Sequence, residues 1–135
     1  MDIRFLVKKE ELKWIKEFDY IIQNTDYDSL NYILTKYKFT TTALNLFLKT
    51  TIFSENVEDQ DKIIRKLIFV GARVNYNFIT QALINNVNLE TIIFMLDHSD
   101  EEYDISKIAF NLRRDDVLKY LLERRIYLRN LKLLS

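Results

Sequence analysis

Chemistry in this chain has few residues to work with: one histidine, no cysteine and a single glycine in 135 positions. The histidine, His98, is followed directly by Ser99. A nucleophile and its base must meet side chain to side chain, with a third group holding the base, and sequence neighbours are badly placed for that. His98 is therefore expected at the surface or at a helix cap. Around it lie Asp97, Asp100, Glu101, Glu102 and Asp104, with no Lys or Arg in the run 97–104. Carboxylates of this density suit Ca²⁺, but the Asp-x-Asp-x-Asp-Gly spacing of an EF-hand is absent. A solvated acidic loop is the expectation. The neighbouring pairs Glu10–Glu11 and Asp115–Asp116 point in different directions on a helix, so neither forms a general acid/base pair. A phosphate loop needs glycines at fixed spacing, and Gly71 stands alone. No catalytic residue, metal ligand set or cofactor follows from the sequence, and the chain is read as a non-enzyme.

The other chemistry on offer is basic. Arg113, Arg114, Arg124, Arg125, Arg129 and Lys132 lie near the C-terminus with Tyr120 and Tyr127 between them. Such a strip can meet phosphates and stack on bases. Lys+Arg and Asp+Glu both number 20, so the net charge is zero, and Asp115, Asp116 and Glu123 sit within the strip. A dedicated nucleic-acid binder usually carries a basic surplus, so nucleic acid is disfavoured. A nucleic-acid binder, or an inhibitor of a nucleic-acid-processing enzyme, stays as the second reading.

These residues must be positioned by helices. The chain contains no proline. Sandwiches and doubly wound sheets need many turns with positive or fixed φ, which glycine and proline supply. Short helices joined by Asn, Asp and Thr turns remain. Apolar spacing of i, i+3, i+4, i+7 predicts helices over 11–23 (Leu12, Ile15, Phe18 and Ile22 on one face), 29–36 (capped by Asp28), 42–53, 59–70 (ending at Gly71), 78–85, 89–96, 106–112 and 115–124, with 126–134 either a final helix or a packed tail. Four segments share one pattern: Leu30-x-x-Ile33-Leu34, Ile64-x-x-Leu67-Ile68, Ile92-x-x-Met95-Leu96 and Leu118-x-x-Leu121-Leu122. Their first positions are 34, 28 and 26 residues apart. Recurrence at this period marks a helical repeat architecture. Three shorter helices carry a small residue (Ala43, Ala82, Ala109) that lets paired helices approach closely.

The stretch from Asp61 to Asn75, with its Gly71-Ala72-Arg73-Val74-Asn75 turn, resembles the second helix and turn of an ankyrin repeat. Residues 82–92 and 109–118 resemble the end of a first helix, the tight turn and the start of a second. The Thr-Pro-Leu-His opening of that family is absent, and two of the spacings are short of its usual period. Degenerate repeats of this composition are similar to those of poxviruses and other large DNA viruses. The resemblance implies an all-α solenoid of about four degenerate helix pairs with no sheet, in a single domain over 1–135: a capping helix over 1–24, repeats over 25–125 and a cap or tail over 126–135. A helical bundle with another packing order is the structural alternative. The resemblance also implies binding of an intracellular protein, such as a host defence or signalling factor, through the turns and first helices. Tyr and Arg are enriched among interface hot spots, so Tyr37, Arg73, Tyr76, Tyr103, Arg113, Arg114, Arg125 and Tyr127 are the expected partner-binding residues. Phe39 shares a turn with Tyr37 but is expected to be buried.

No apolar run approaches the length of a membrane span, and that of the N-terminus, Phe5–Val7, is too short for a signal peptide. The expected address is cytoplasmic, with the nucleus open. Zero net charge with many aromatics fits a monomer or a weak homo-oligomer.

Overall fold

A computed structural model describes residues 4–5, 8–24, 26–54, 57–99 and 101–134, with side chains described within 8–125. The described chain is mostly helical. Its eight helices are α1 (Lys8–Asn24), α2 (Tyr27–Lys36), α3 (Thr41–Phe53), α4 (Gln60–Phe69), α5 (Tyr76–Ile84), α6 (Leu89–Asp97), α7 (Ser106–Asn111) and α8 (Asp115–Leu134). Two extended pieces, β1 (Arg4–Phe5) and β2 (Tyr37–Lys38), pair in parallel over two residues, and among the described residues no sheet forms a layer. No helix among the described residues is long and apolar enough to cross a membrane.

Local chemistry explains where the helices begin. Asp26, Thr40, Asn75 and Asn88 each sit in extended backbone and accept an amide N–H three residues on, from Ser29, Ala43, Phe78 and Thr91. Each of these side chains satisfies a donor that the first helical turn leaves orphaned. The cap of α2 is thus Asp26; Asp28, expected in that role, lies inside the first turn. Three helices end on a left-handed residue, Gly71, Asn86 or Arg113. In each, the next amide bonds back five residues: Ala72 to Leu67, Val87 to Ala82 and Arg114 to Ala109. This is the Schellman stop.

The helices pack in a simple order. The first members of each pair form one row, with α1 on α3, α3 on α5 and α5 on α7. The second members form another, with α2 on α4, α4 on α6 and α6 on α8. Within pairs, α3 packs on α4, α5 on α6 and α7 on α8. Between the rows runs one continuous core containing Phe18, Leu30, Phe47, Leu48, Ile64, Leu67, Ile79, Leu83, Ile92 and Met95. Ala43, Ala82 and Ala109 are all fully buried in it. Each large aliphatic side chain so buried contributes roughly 1.5–3 kcal/mol. Of the four residues expected on the buried face of α1, Phe18 and Ile22 are buried and Ile15 is half-buried, whereas Leu12 is exposed.

Polar links between distant parts of the chain repeat the same interval. Thr40 donates to Glu11, Ser54 to Asp19 and Lys66 to Thr35. The Arg73 amide donates to Asn45, the Asn85 side chain to the Ile52 carbonyl, Asn88 to Asp61 and Arg114 to the Val87 carbonyl. All of these links span 27 to 35 residues. Apart from Arg73–Asn45, which ties the α4–α5 connection back to α3, each link joins one helix pair to the next.

Candidate protein-interaction surface

The connections from a second helix to the next first helix line one edge of the molecule. Val74 and Ser99, on consecutive connections, form a parallel bridge. One step further along, the rings of Tyr76 and Tyr103 meet at 5.7 Å, tilted by 53°. Tyr76 is 41% exposed and Tyr103 half-buried. The backbone amide of Arg73 is fixed by Asn45 Oδ1 at 2.7 Å, and the residue as a whole is exposed. The paired turns carry Tyr76 and Arg73 at exposed positions beside Tyr103.

Beside Tyr103 lies a cleft of about 380 Å³, lined among others by Leu96, Glu102, Asp104, Leu121, Arg124 and Arg125. Here the acidic run and the basic strip, separate in sequence, face each other. Asp97 and Arg124 are 3.6 Å apart. The hydroxyl and amide of Ser106 donate to Asp104 and hold its carboxyl below the usual carboxylate range, with a smaller contribution from the Arg125 charge. Arg124 also reaches the Tyr120 hydroxyl at 3.4 Å. Arg124 is thus paired within the molecule, while Arg125 remains exposed.

The sequence-derived residues separate into groups. Tyr76, Tyr103 and Arg125 form a continuous surface, with Arg73 on the adjoining turn. Tyr37 lies on the preceding connection, half-buried, with Lys36 Nζ 5.5 Å from its ring centre. Arg113 and Arg114 sit in the α7–α8 turn, on the opposite edge. Arg113 is exposed in left-handed backbone. Arg114 is turned into the seam between pairs, donating to the Val87 carbonyl at 2.9 Å and to both Asp116 carboxylate oxygens at 3.1 Å. The side chains of Tyr127, Arg129 and Lys132 lie outside the described residues, as does Asp100 of the acidic run. Phe39 is buried as expected, edge-on to Trp14 at 5.8 Å and to Phe47 at 5.2 Å.

The chain gives no significant match to any protein-family model, curated protein or solved structure.

Function must therefore be argued from this geometry. His98 ends α6: its Nδ1 is 2.8 Å from the Phe94 carbonyl and its ring stacks on Phe94 at 4.0 Å. Ser99 Oγ is occupied with the Leu96 and Glu101 carbonyls. Among the described residues no three of His, Cys, Asp or Glu converge as a metal site.

One surface was not anticipated from sequence. On the outward sides of α2 and α4, lysines lie over aromatic rings: Lys36 over Tyr32, Lys62 over Tyr27 and Lys66 over Phe69, each at 5.5–5.6 Å. The signal was present. Phe69 falls outside the Ile63–Ile64–Leu67–Ile68 stripe of α4, so the helical period already points it away from the core.

Proposed function

We propose that the chain is a short ankyrin-like solenoid that binds an intracellular protein and performs no catalysis. The observation that carries this reading is the narrow interval of the long-range links: 27 to 35 residues, joining one helix pair to the next in every case but Arg73–Asn45, where the α4–α5 connection bonds back to α3. Architecture built from nearest-neighbour stacking is quasi-one-dimensional and offers a long surface of turns and first helices rather than an enclosed pocket. Tyr76, Tyr103, Arg73 and Arg125 are the residues assigned to the partner, because they combine exposure with a rigid footing on paired turns. Rigid aromatic anchors lower the entropy lost on binding. The pairing of Asp97 with Arg124, and of Asp104 with its neighbours, weighs against phosphate recognition by the C-terminal strip.

Affinity capture from host-cell lysate with mass-spectrometric readout tests this. A partner recovered with the intact chain and lost with Tyr76→Ala and Tyr103→Ala together is the expected result. Equal recovery with both variants overturns the assignment of Tyr76 and Tyr103. Salt-sensitive retention on RNA or heparin, with no protein partner, favours the nucleic-acid reading.

A further inference from the structure

We propose that the outward face shared by α2 and α4 docks an acidic protein segment that places an apolar side chain beside Phe69. Two clefts meet there and share Lys66 and Phe69. One, about 240 Å³, is walled by Leu34, Leu44, Phe39 and Val70. The other, about 310 Å³, is walled by Tyr27, Lys62, Arg65 and Phe94. The charged residues lining them are Lys38, Lys62, Arg65 and Lys66, with no carboxylate among the lining residues of either cleft. In a chain of zero net charge this is a local cationic surplus. Two acids at the start of α4 already have partners. Asp61 Oδ2 accepts from Asn88, and Asp59 touches Lys62 at 3.7 Å from the start of α4.

Phe69 stands between the clefts and is 78% exposed. A large aromatic left in water among apolar walls is what an interface anchor looks like before its partner arrives. The lysines are already placed. Lys66 Nζ donates to Thr35 Oγ1 at 3.0 Å while lying over Phe69, and Lys36 lies between Tyr32 and Tyr37. Cations held against rings lose little freedom when a carboxylate joins them.

Two features choose a protein segment over single-stranded nucleic acid. Base stacking needs a free ring face, and a lysine lies over one face of each of Tyr27, Tyr32, Tyr37 and Phe69. The smaller cleft ends in Leu34, Leu44 and Val70, which suit an aliphatic or phenyl side chain. The inference rests on the reading of the chain as a protein-binding module but uses a different face from that of Tyr76 and Tyr103.

The test is fluorescence anisotropy of the full chain with a labelled peptide in which Glu alternates with Leu and Phe. Expected is saturable binding that weakens with salt. It should fall about tenfold or more in Phe69→Ala and in Lys62→Gln with Arg65→Gln, changes at surface positions that leave the core intact. The same peptide with every Glu replaced by Gln should bind about tenfold more weakly. Absence of saturable binding, or equal binding by the variants, overturns the proposal. So does an oligo-dT strand that binds more tightly and shows the same losses. Retained partner capture through Tyr76 and Tyr103 alongside any of these failures would sink this face alone; loss of both would sink the module reading itself.

Discussion

Leu83 and Phe110 occupy the same place in two Schellman turns, yet Leu83 is 2% exposed and Phe110 is 70% exposed. The carbonyl of each accepts the amide of the left-handed residue that follows, Asn86 in one case and Arg113 in the other. The residue before each, Ala82 or Ala109, is fully buried and closes the longer bond of the turn. What differs is the neighbour. α5 is flanked by α3 and α7, whereas among the described first helices α7 packs on α5 alone. The second row agrees: Ile92 and Met95 of α6 are buried, but Leu118 and Leu121, their counterparts in α8, are half-buried. Leu83→Ala should therefore cost about 2–4 kcal/mol in urea unfolding. Phe110→Ala should change it by less than about 0.5 kcal/mol. A Phe110→Ala loss as large as that of Leu83→Ala would mean that this end of the stack is covered.

The three left-handed turn residues differ in how well their side chains tolerate φ > 0. Arg113, with φ of 57°, has a Cβ and a long side chain where glycine is usual. Replacing it by Gly removes that strain, worth about 1–3 kcal/mol, and gives back part of the gain through unfolded-state entropy. Arg113→Gly is expected to raise stability by roughly 0.5–1 kcal/mol. Gly71 is the reverse case. Its φ is +129°, a conformation that L side chains rarely adopt, and an added Cβ would meet Leu44 Cδ1 at 3.4 Å. Gly71→Ala should lower stability by about 1–3 kcal/mol, and thermal melts of the two variants should move in opposite directions.

Helix number and type were legible because this fold writes its signals locally: apolar residues at helical spacing, Asn/Asp/Thr caps, and a break wherever the chain turns left-handed. The ends were less legible. Lys8, Lys9 and Glu10 extend α1 beyond its apolar period because good helix formers need no core partner. Nothing between Arg125 and Ile126 stops a helix, so α8 runs unbroken to Leu134 where two elements had been an option. Arg114 shows what composition hides. Its charge suggests solvent, but the Val87 carbonyl of the preceding pair draws it into a seam. The contact of Asp97 with Arg124 was equally invisible, since only the packing of α6 on α8 brings those runs together.

Acid should weaken the molecule through a small set of carboxylates. The Arg114 side chain, bonded to Asp116, holds that carboxyl below its usual range. The Ser29 and Ser106 donors do the same for Asp26 and Asp104. A carboxylate depressed in the folded state is protonated first in the unfolded chain. Its stabilisation is present above the unfolded pKa of about 4 and is lost as pH falls through the lower folded value. The melting temperature should be flat from pH 7 to about 5 as far as these groups go, then fall between about pH 4 and 2. Asp116→Asn should reduce the steepness of that acid limb. An unchanged slope in Asp116→Asn would show that the Arg114 contact contributes nothing to the pH dependence.

Thr91 gives the sharpest single-atom test of the packing. It is fully buried in α6, and although its amide is satisfied by the Asn88 cap, its Oγ1 has no hydrogen-bond partner. A buried hydroxyl without a partner costs about 1–3 kcal/mol of desolvation. Thr51, equally buried, differs because its Oγ1 donates to the Phe47 carbonyl at 2.8 Å. Valine keeps the shape of threonine and removes the hydroxyl. Thr91→Val is thus expected to raise stability by about 1 kcal/mol, while Thr51→Val should be neutral or destabilising, since it discards a bond already made. Chemical denaturation of the two variants side by side provides the check. If Thr91→Val proves the more destabilising, Oγ1 must meet a polar group in solution, and the seam between α4 and α6 is wetter than a dry helix contact.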